Sequence, residues 1–327
     1  NAVAIRFPAF AAGIVCLWVV YKISREIFPS NIVAKLSLLA AVVCPVHIYY
    51  SQTARGYSFI MLFSVLAIYA TIKLLKTDEF VRPGLLLLLS GFILVYTQPI
   101  SLIFIVGLAL WVLVVLAFPS FKEDFGLHLK PVGKKFYQFL SIFLFMGISS
   151  LLAYWPLLPK MIKSANEDYN VSSVYSSSWD IFINFIPNLF LKILPGPLIY
   201  FTPFFVAGIF FSQIHKRAYR LLPLVILFTT YLVSLATGLV WFPRSYLFAL
   251  PLTLIFLASG FVFTGERLAS LTKSAASSNW VSFSLTSVFV ALSLIEIFTN
   301  QFPKTKTFNV KEYRQNINNQ VQPNDLL

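Results

Sequence analysis

Charge is scarce in this sequence. Asp, Glu, Lys and Arg make up 11% of its 327 residues, against about 25% in a soluble domain. So few charged side chains cannot wet a globular surface. Acids are scarcer than bases, 12 against 25, which leaves few candidates for carboxylate chemistry. There are only two cysteines, Cys16 and Cys44, both inside apolar runs. They read as small buried hydrophobes rather than a disulfide or a metal pair. The three histidines, His47, His128 and His215, stand too far apart in sequence to show metal-ligand spacing. No metal is expected. The Walker phosphate loop, the dinucleotide fingerprint, Gly-x-Ser-x-Gly and His-Glu-x-x-His are also missing. Their absence argues against soluble nucleotide chemistry, and no cofactor is expected.

What fills the chain is apolar. Hydrophobic residues reach 58%, Phe alone occurs 34 times, and the mean hydropathy is +0.80. The solvent for such a chain is lipid. The net charge of +13 would suggest nucleic acid in a soluble protein. In this chain the basic residues sit mostly in short loops between apolar runs, so they speak for membrane topology and anionic headgroups. No nucleic-acid partner is expected.

Hydropathy predicts an all-α, polytopic transmembrane helix bundle of about ten spans. They fall at 3–21, 34–47, 57–75, 84–97, 99–118, 136–155, 197–213, 221–241, 245–264 and 280–298. Residues 1–298 then form the membrane domain and 299–327 a polar tail. Taking alternate loops as one side puts fifteen basic residues there, from Lys22 and Arg25 through Lys73 and Lys76 to Arg267 and Lys273. The other side holds six in its loops: Arg6, Arg55, Lys160, Lys163, Lys192 and Arg244. By the positive-inside rule the first side is cytoplasmic and the second extracytoplasmic. The protein is expected to be multi-pass, in a plasma or inner membrane. The single long loop, 156–196, then faces outward. Its apolar part, Ile181 to Leu194, reads as an interfacial helix or a span too short to cross.

The same assignment brings the unusual polar residues to one face. His47-Ile-Tyr-Tyr-Ser-Gln-Thr-Ala-Arg-Gly-Tyr57, the Tyr96-Thr-Gln-Pro99 break and Trp241-Phe-Pro-Arg-Ser-Tyr246 all lie outside. A guanidinium at a membrane boundary suits a phosphate, being planar, permanently charged and able to bind two oxygens. If 47–58 is helical throughout, His47, Ser51 and Arg55 fall at i, i+4 and i+8 on one face. Pro45 would kink the preceding helix, and Gly56 would admit a close neighbour. On residues alone a second reading stands beside this one: Arg55 snorkels to headgroups and the tyrosines form an ordinary aromatic belt. Arg244 divides the same way, between phosphate ligand and topology anchor.

The run from Pro45 through His47 to Tyr57 resembles the P-x-x-x-Y-Y-S-Q-x-A-R-x-Y signature of GT-C class membrane glycosyltransferases. It is most similar to dolichyl-phosphate-mannose protein mannosyltransferases of glycosyltransferase family 39 and their bacterial homologues. Arg6-Phe-Pro-Ala-Phe-Ala-Ala-Gly13 resembles the family's R-x-P-S/A-x-x-x-G opening of a span. Arg244-Ser-Tyr246 with Pro251 is similar to a late R-Y-x-x-x-x-x-P span start, with Ser245 inserted. The tail from Lys311 to Leu327 resembles the entry to an outer soluble domain. Where family members often carry a His-Tyr pair, this chain has Thr97-Gln98-Pro99.

The resemblance implies sugar transfer from a polyprenyl-phosphate donor to an acceptor on the extracytoplasmic face. The partners would be that lipid-linked sugar, membrane lipids, and an acceptor protein, lipid or glycan. Arg55 and Arg244 would hold the donor phosphate, with His47, Ser51, Gln52, Tyr57 and Gln98 around it. The family's general base is an Asp or Glu in a loop expected ahead of Asn1. Glu167 and Asp168, the only closely spaced acids in the outer interspan loops, are the candidates within the chain. Two other classes compete. A transporter or flippase of lipid-linked sugars calls for inverted repeats and midplane polar residues, and neither is visible. A non-catalytic accessory protein would tolerate loss of both arginines.

Overall fold

The computed structural model describes residues 2–53, 55–127, 132–157, 159, 178–237, 243–272 and 275–301. Among them every regular element is helical. In chain order the α-helices are α1 (Ala2–Ile27), α2 (Asn31–Val43), α3 (Pro45–Gln52), α4 (Tyr57–Lys76), α5 (Val81–Thr97), α6 (Leu102–Ala117) and α7 (Pro119–Asp124). They continue as α8 (Val132–Tyr154), α9 (Ser178–Ile193), α10 (Thr202–Phe210), α11 (Ala218–Thr237), α12 (Leu250–Thr272) and α13 (Ala275–Glu296). Short 3-10 turns at Pro99–Ser101, Gly196–Phe201 and Pro243–Ala249 lead into α6, α10 and α12.

Seven helices are long and apolar enough to cross a membrane, and two bent pairs could each add a crossing. α5 is apolar but has only 17 residues. Hydropathy led to an expectation of about ten spans; the structure has seven to nine helices that could cross, and the expected span at 84–97 falls on the shorter α5. The protein is an all-α, integral, multi-pass membrane protein. One segment differs in shape from the expectation. The span expected at 197–213 is the second limb of a bent pair, in which Ile183–Ile193 and Gly196–Phe210 meet at 115°. Pro195, Gly196 and Pro197 explain the bend. Gly196 has φ +58°, and the prolines remove N–H donors that a continuous helix would need.

Helix order within the bundle follows from packing. α12 is buried nearly all round and touches α2, α10 and α13. α1, α8 and α13 lie outermost, with Phe7, Trp18, Phe145, Leu152, Trp280 and Phe283 exposed. In water such an apolar belt would aggregate. In lipid it is the outer surface.

The two ends of the bundle are built differently. At one end several cations are engaged. Glu26 receives Lys73 and Lys76. Lys135 donates to the carbonyls of Leu74 (2.7 Å) and Thr77. Arg220 donates to those of Phe210 and Ser212. Lys216 lies 4.8 Å over the Phe125 ring, and the His215 amide donates to the Ile27 carbonyl at 2.9 Å. This Lys-rich end collects α1, α4, α8, α10 and α11. Burial and the neighbouring Lys76 both push His215 below its ordinary pKa. The opposite, aromatic end collects Tyr50, Tyr57, Tyr96, Tyr154, Gly196 and Glu296.

Small residues let α10 and α12 approach closely, as expected where lipid supplies no hydrophobic drive for helix association. A Cβ on Gly208 would fall 2.8 Å from the carbonyl carbon of Phe256, and one on Gly260 would fall 2.6 Å from that of Phe204. Both obstacles are backbone and cannot step aside. Gly208→Ala or Gly260→Ala should therefore destabilise the fold by about 1–3 kcal/mol each, read as a lower melting temperature in detergent. Gly147→Ala on α8, where a Cβ meets nothing within 4 Å, should not. Equal melting temperatures for all three would refute this packing.

Candidate functional site

The aromatic end is shaped by a helix that stops and restarts. Cys44 is extended (ψ 120°) because Pro45 disfavours helix in the residue before it. α2 and α3 therefore meet at 55°. α3 then runs only to Gln52, and Thr53 is extended (ψ 136°). The Tyr50 carbonyl accepts from the Thr53 hydroxyl at 3.0 Å and the Ser58 hydroxyl at 2.8 Å. Those two bonds tie the end of α3 to the start of α4. Tyr50 also packs edge-on against Tyr49 and Tyr57, with centroids 5.0 and 4.7 Å apart.

This break corrects one sequence expectation. His47 and Ser51 do share a face, but Arg55 does not extend it, because the helix ends three residues earlier. Arg55 lies in the turn to α4, with its amide donating to Thr53 at 2.8 Å. Its side chain is exposed and makes neither ion pair nor hydrogen bond with a described residue.

His47 and Ser51 are buried against α1. A Cβ on Gly13 would fall 2.8 Å from Ser51 Cβ and 3.8 Å from His47 Cε1. Gly13 thus makes room for both. His47 Nε2 and Ser51 Oγ are buried with no hydrogen-bond partner among the described residues. Each such group costs roughly 1–3 kcal/mol when left unpaired, so the pair marks a place where polar function outweighs stability. Gln52 is exposed and Tyr57 half-buried.

Gly56 meets the end of α5: a Cβ there would strike the Thr97 methyl. The Arg55 turn therefore sits directly beside the Thr97-Gln98-Pro99 break. Gln98 is half-buried and extended (φ −153°, ψ 112°), and its carbonyl accepts from the Ser101 amide at 2.9 Å. Tyr154 donates to the Tyr96 carbonyl at 2.6 Å and fixes this break against α8. The Pro99–Ser101 turn in turn packs against Pro243–Ala249, the segment that carries Arg244, and α4 packs there too. Tyr246 anchors that segment through Ser234 (3.2 Å) and the Phe185 ring (5.5 Å). The Arg244 side chain lies outside the described residues, as do Glu167 and Asp168.

α3, the Arg55 turn, the Gln98 break and the Arg244 segment thus form one neighbourhood. Two contributors were missed in the sequence. Gly13 was legible only as part of a motif, not as the partner of Ser51. Glu296, a buried carboxylate at the end of α13, gave no signal beyond being an acid in an apolar run. Among the described residues no group of three or more His, Cys, Asp or Glu could hold a metal.

A multi-pass helical bundle with its polar breaks at one end defines the class. Within it, residues 1–127 match the model of the dolichyl-phosphate-mannose-protein mannosyltransferase family. That stretch holds Gly13, the His47–Tyr57 run and Gln98, and it supports both the GT-C resemblance and a membrane glycosyltransferase. Neither the curated proteins nor the solved structures contain a match to the chain.

Gly13→Ala should displace α3 from α1. We expect a fall in melting temperature in detergent that Ser51→Gly, made in the same protein, partly restores. Additive losses in the double variant would place Ser51 elsewhere.

Proposed function

We infer that this chain transfers a sugar from a polyprenyl-phosphate donor to an acceptor on the extracytoplasmic face. The observation that carries the reading is the free, exposed guanidinium of Arg55 beside buried His47 and Ser51 at the aromatic end. Every cation described above at the Lys-rich end is occupied by a carboxylate, a carbonyl or a ring. The Arg55 side chain is exposed and has no ion-pair or hydrogen-bond partner among the described residues. The family match over residues 1–127 gives that cation a substrate class.

The chemistry follows from the bond that must break. The acceptor oxygen attacks the anomeric carbon, and the bond from that carbon to the phosphate oxygen breaks with its electron pair leaving on the phosphate. Negative charge grows there, so cations fixed in advance at that oxygen lower the barrier. Arg55 takes this role, with Arg244 on the neighbouring 3-10 turn as its partner. His47 Nε2 and Ser51 Oγ offer hydrogen bonds to the same phosphate. The tyrosines at 49, 50 and 57 and the apolar helix faces behind them offer a wall for the isoprenoid.

Arg55→Ala in the full-length protein should cut transfer from a labelled polyprenyl-phosphate sugar by about 10²–10³-fold, the usual cost of one such donor. Arg55→Lys should recover only part, since an ammonium cannot bind two oxygens in a fork. Near-normal turnover of Arg55→Ala would end the phosphate role. The face is tested separately. Both native cysteines are buried, so engineered cysteines report cleanly. A membrane-impermeant maleimide should label Asn300→Cys from outside intact cells and Lys134→Cys only after lysis. The reverse pattern would invert the orientation.

A further inference from the structure

Between the end of α4 and the start of α5, at the Lys-rich end, lies a cavity of about 240 Å³. Its lining is graded along both helices. Tyr69 on α4 and Leu86 on α5 form an apolar floor. Lys73 and Pro83 stand about one helical turn nearer the end of the bundle. Thr77, Glu79 and Arg82 form the rim, and all three are exposed. The cavity is therefore open, and its chemistry decides what fills it. The floor suits a hydrocarbon chain and the rim suits an ion.

The sign of that ion follows from the charges at this corner. Four cations, Lys73, Lys76, Arg82 and Lys135, stand against three acids, Glu26, Asp78 and Glu79. One positive charge is left over. Glu26 receives both Lys73 and Lys76, which holds Lys73 at the cavity wall with its Nζ 5.3 Å from the centre of the Tyr69 ring. Lys135 is spent on the carbonyls of Leu74 and Thr77, just behind the rim. Arg82 is 89% exposed, and it pairs with Glu79, three residues back, at 3.3 Å. An exposed pair of that kind contributes little, so the guanidinium is open to a better acceptor. A phosphate is one, because the planar fork binds two of its oxygens at once.

We propose that this cavity binds a phospholipid with a singly negative headgroup, drawn from the leaflet that meets the Lys-rich end. One acyl chain lies on Tyr69 and Leu86, and the phosphate stands between Lys73 and Arg82. Glu79 yields Arg82 to the phosphate and turns to water. The single negative charge matches the single positive charge left over. A free phosphate would use the rim and leave the apolar floor uncovered. The lipid bridges α4 and α5, whose opposite ends carry the Arg55 turn and the Gln98 break. Holding the two helices at one end steadies the spacing of those polar breaks at the other. The site itself is independent of the transferase reading, since it needs only these two helices and a bilayer.

The test takes the full-length protein in dodecyl maltoside and adds dioleoyl phosphatidylglycerol, dioleoyl phosphatidylcholine or inorganic phosphate. Native mass spectrometry counts the lipid retained, and the melting temperature reports stabilisation. Phosphatidylglycerol should be retained and should raise the melting temperature. Phosphatidylcholine, with the same chains and no net charge, should be retained about fivefold less, the worth of one cation at a charged membrane surface. Arg82→Ala should lower phosphatidylglycerol retention by about the same factor. Leu86→Trp should lower it by filling the floor, with no change of charge. Glu79→Gln should raise it by releasing Arg82. Lys35→Ala removes an exposed cation near the start of α2 that does not line the cavity, and should change nothing. Retention within twofold of the unaltered protein in Arg82→Ala overturns the proposal. So does an equal loss in Lys35→Ala, which makes the attraction diffuse. Equal retention of phosphatidylcholine overturns it as well, and so does the same rise in melting temperature with inorganic phosphate alone, which assigns the rim to a free anion. If Leu86→Trp does not fold, Arg82→Ala and Glu79→Gln decide, because both side chains are exposed.

Discussion

In hydrocarbon no water is present to satisfy a backbone N–H or C=O, so a chain can leave the helix only where its own side chains take over. That constraint organises this molecule. Every helix end is a set of orphaned carbonyls or amides, and the two ends of the bundle solve the problem with different chemistry. At the Lys-rich end the last carbonyls of α4 and α10 are met by Lys135 and Arg220. Cations at helix C-termini also complement the helix dipole. At the aromatic end the work falls to neutral hydroxyls. Thr53 and Ser58 serve Tyr50, Tyr154 serves Tyr96, and Thr202 serves Ile199 at 2.7 Å. The consequence is electrostatic. Hydroxyls can close a helix end without using up a charge, and Arg55 and Glu296 make no ion pair or hydrogen bond there with a described residue.

That division bears on the two readings of Arg55 open at the sequence level, phosphate ligand and topology anchor. An arginine that serves only as a topology anchor has no need of a second polar layer beneath it. His47 and Ser51, on the helix that leads to the Arg55 turn, are buried with no hydrogen-bond partner among the described residues. An aromatic belt likewise needs only rings at the right depth. Tyr50 and Tyr57 instead pack edge-on against each other across a helix break that follows Pro45 and Thr53. A break of this kind is costly in a membrane helix, and ordinary anchoring would not call for it.

The spans were legible because their signal is composition over about twenty residues, which lipid enforces directly. The breaks were legible where proline marks them, at Pro45, Pro99 and Pro243. The length of α3 was not. Nothing in Tyr-Tyr-Ser-Gln-Thr opposes a helix, and it is the competition of Thr53 and Ser58 for the Tyr50 carbonyl that ends it. The expected stripe through Arg55 failed for that reason. Glu296 was invisible for a different one. Its meaning lies in α13 meeting α3 and Gly196, contacts separated by roughly a hundred residues or more in sequence. The bent pair around Gly196 was half legible: the apolar run at 181–194 pointed to a segment that does not cross, but not to a limb turned back by 115°.

The family match ends at residue 127, whereas Arg244, Gly196 and Glu296 lie beyond it. A displacement at a sugar carbon has two sides, one for the departing phosphate and one for the arriving hydroxyl. The residues proposed to hold the phosphate, Arg55, His47 and Ser51, fall wholly within the matched stretch. The side facing α13 is built by later helices. A shared donor chemistry and a divergent acceptor would produce this pattern, because the lipid phosphate imposes one cation geometry while acceptors differ in size and shape. The later helices do meet the matched stretch: α13 packs against α3, the helix that carries His47 and Ser51.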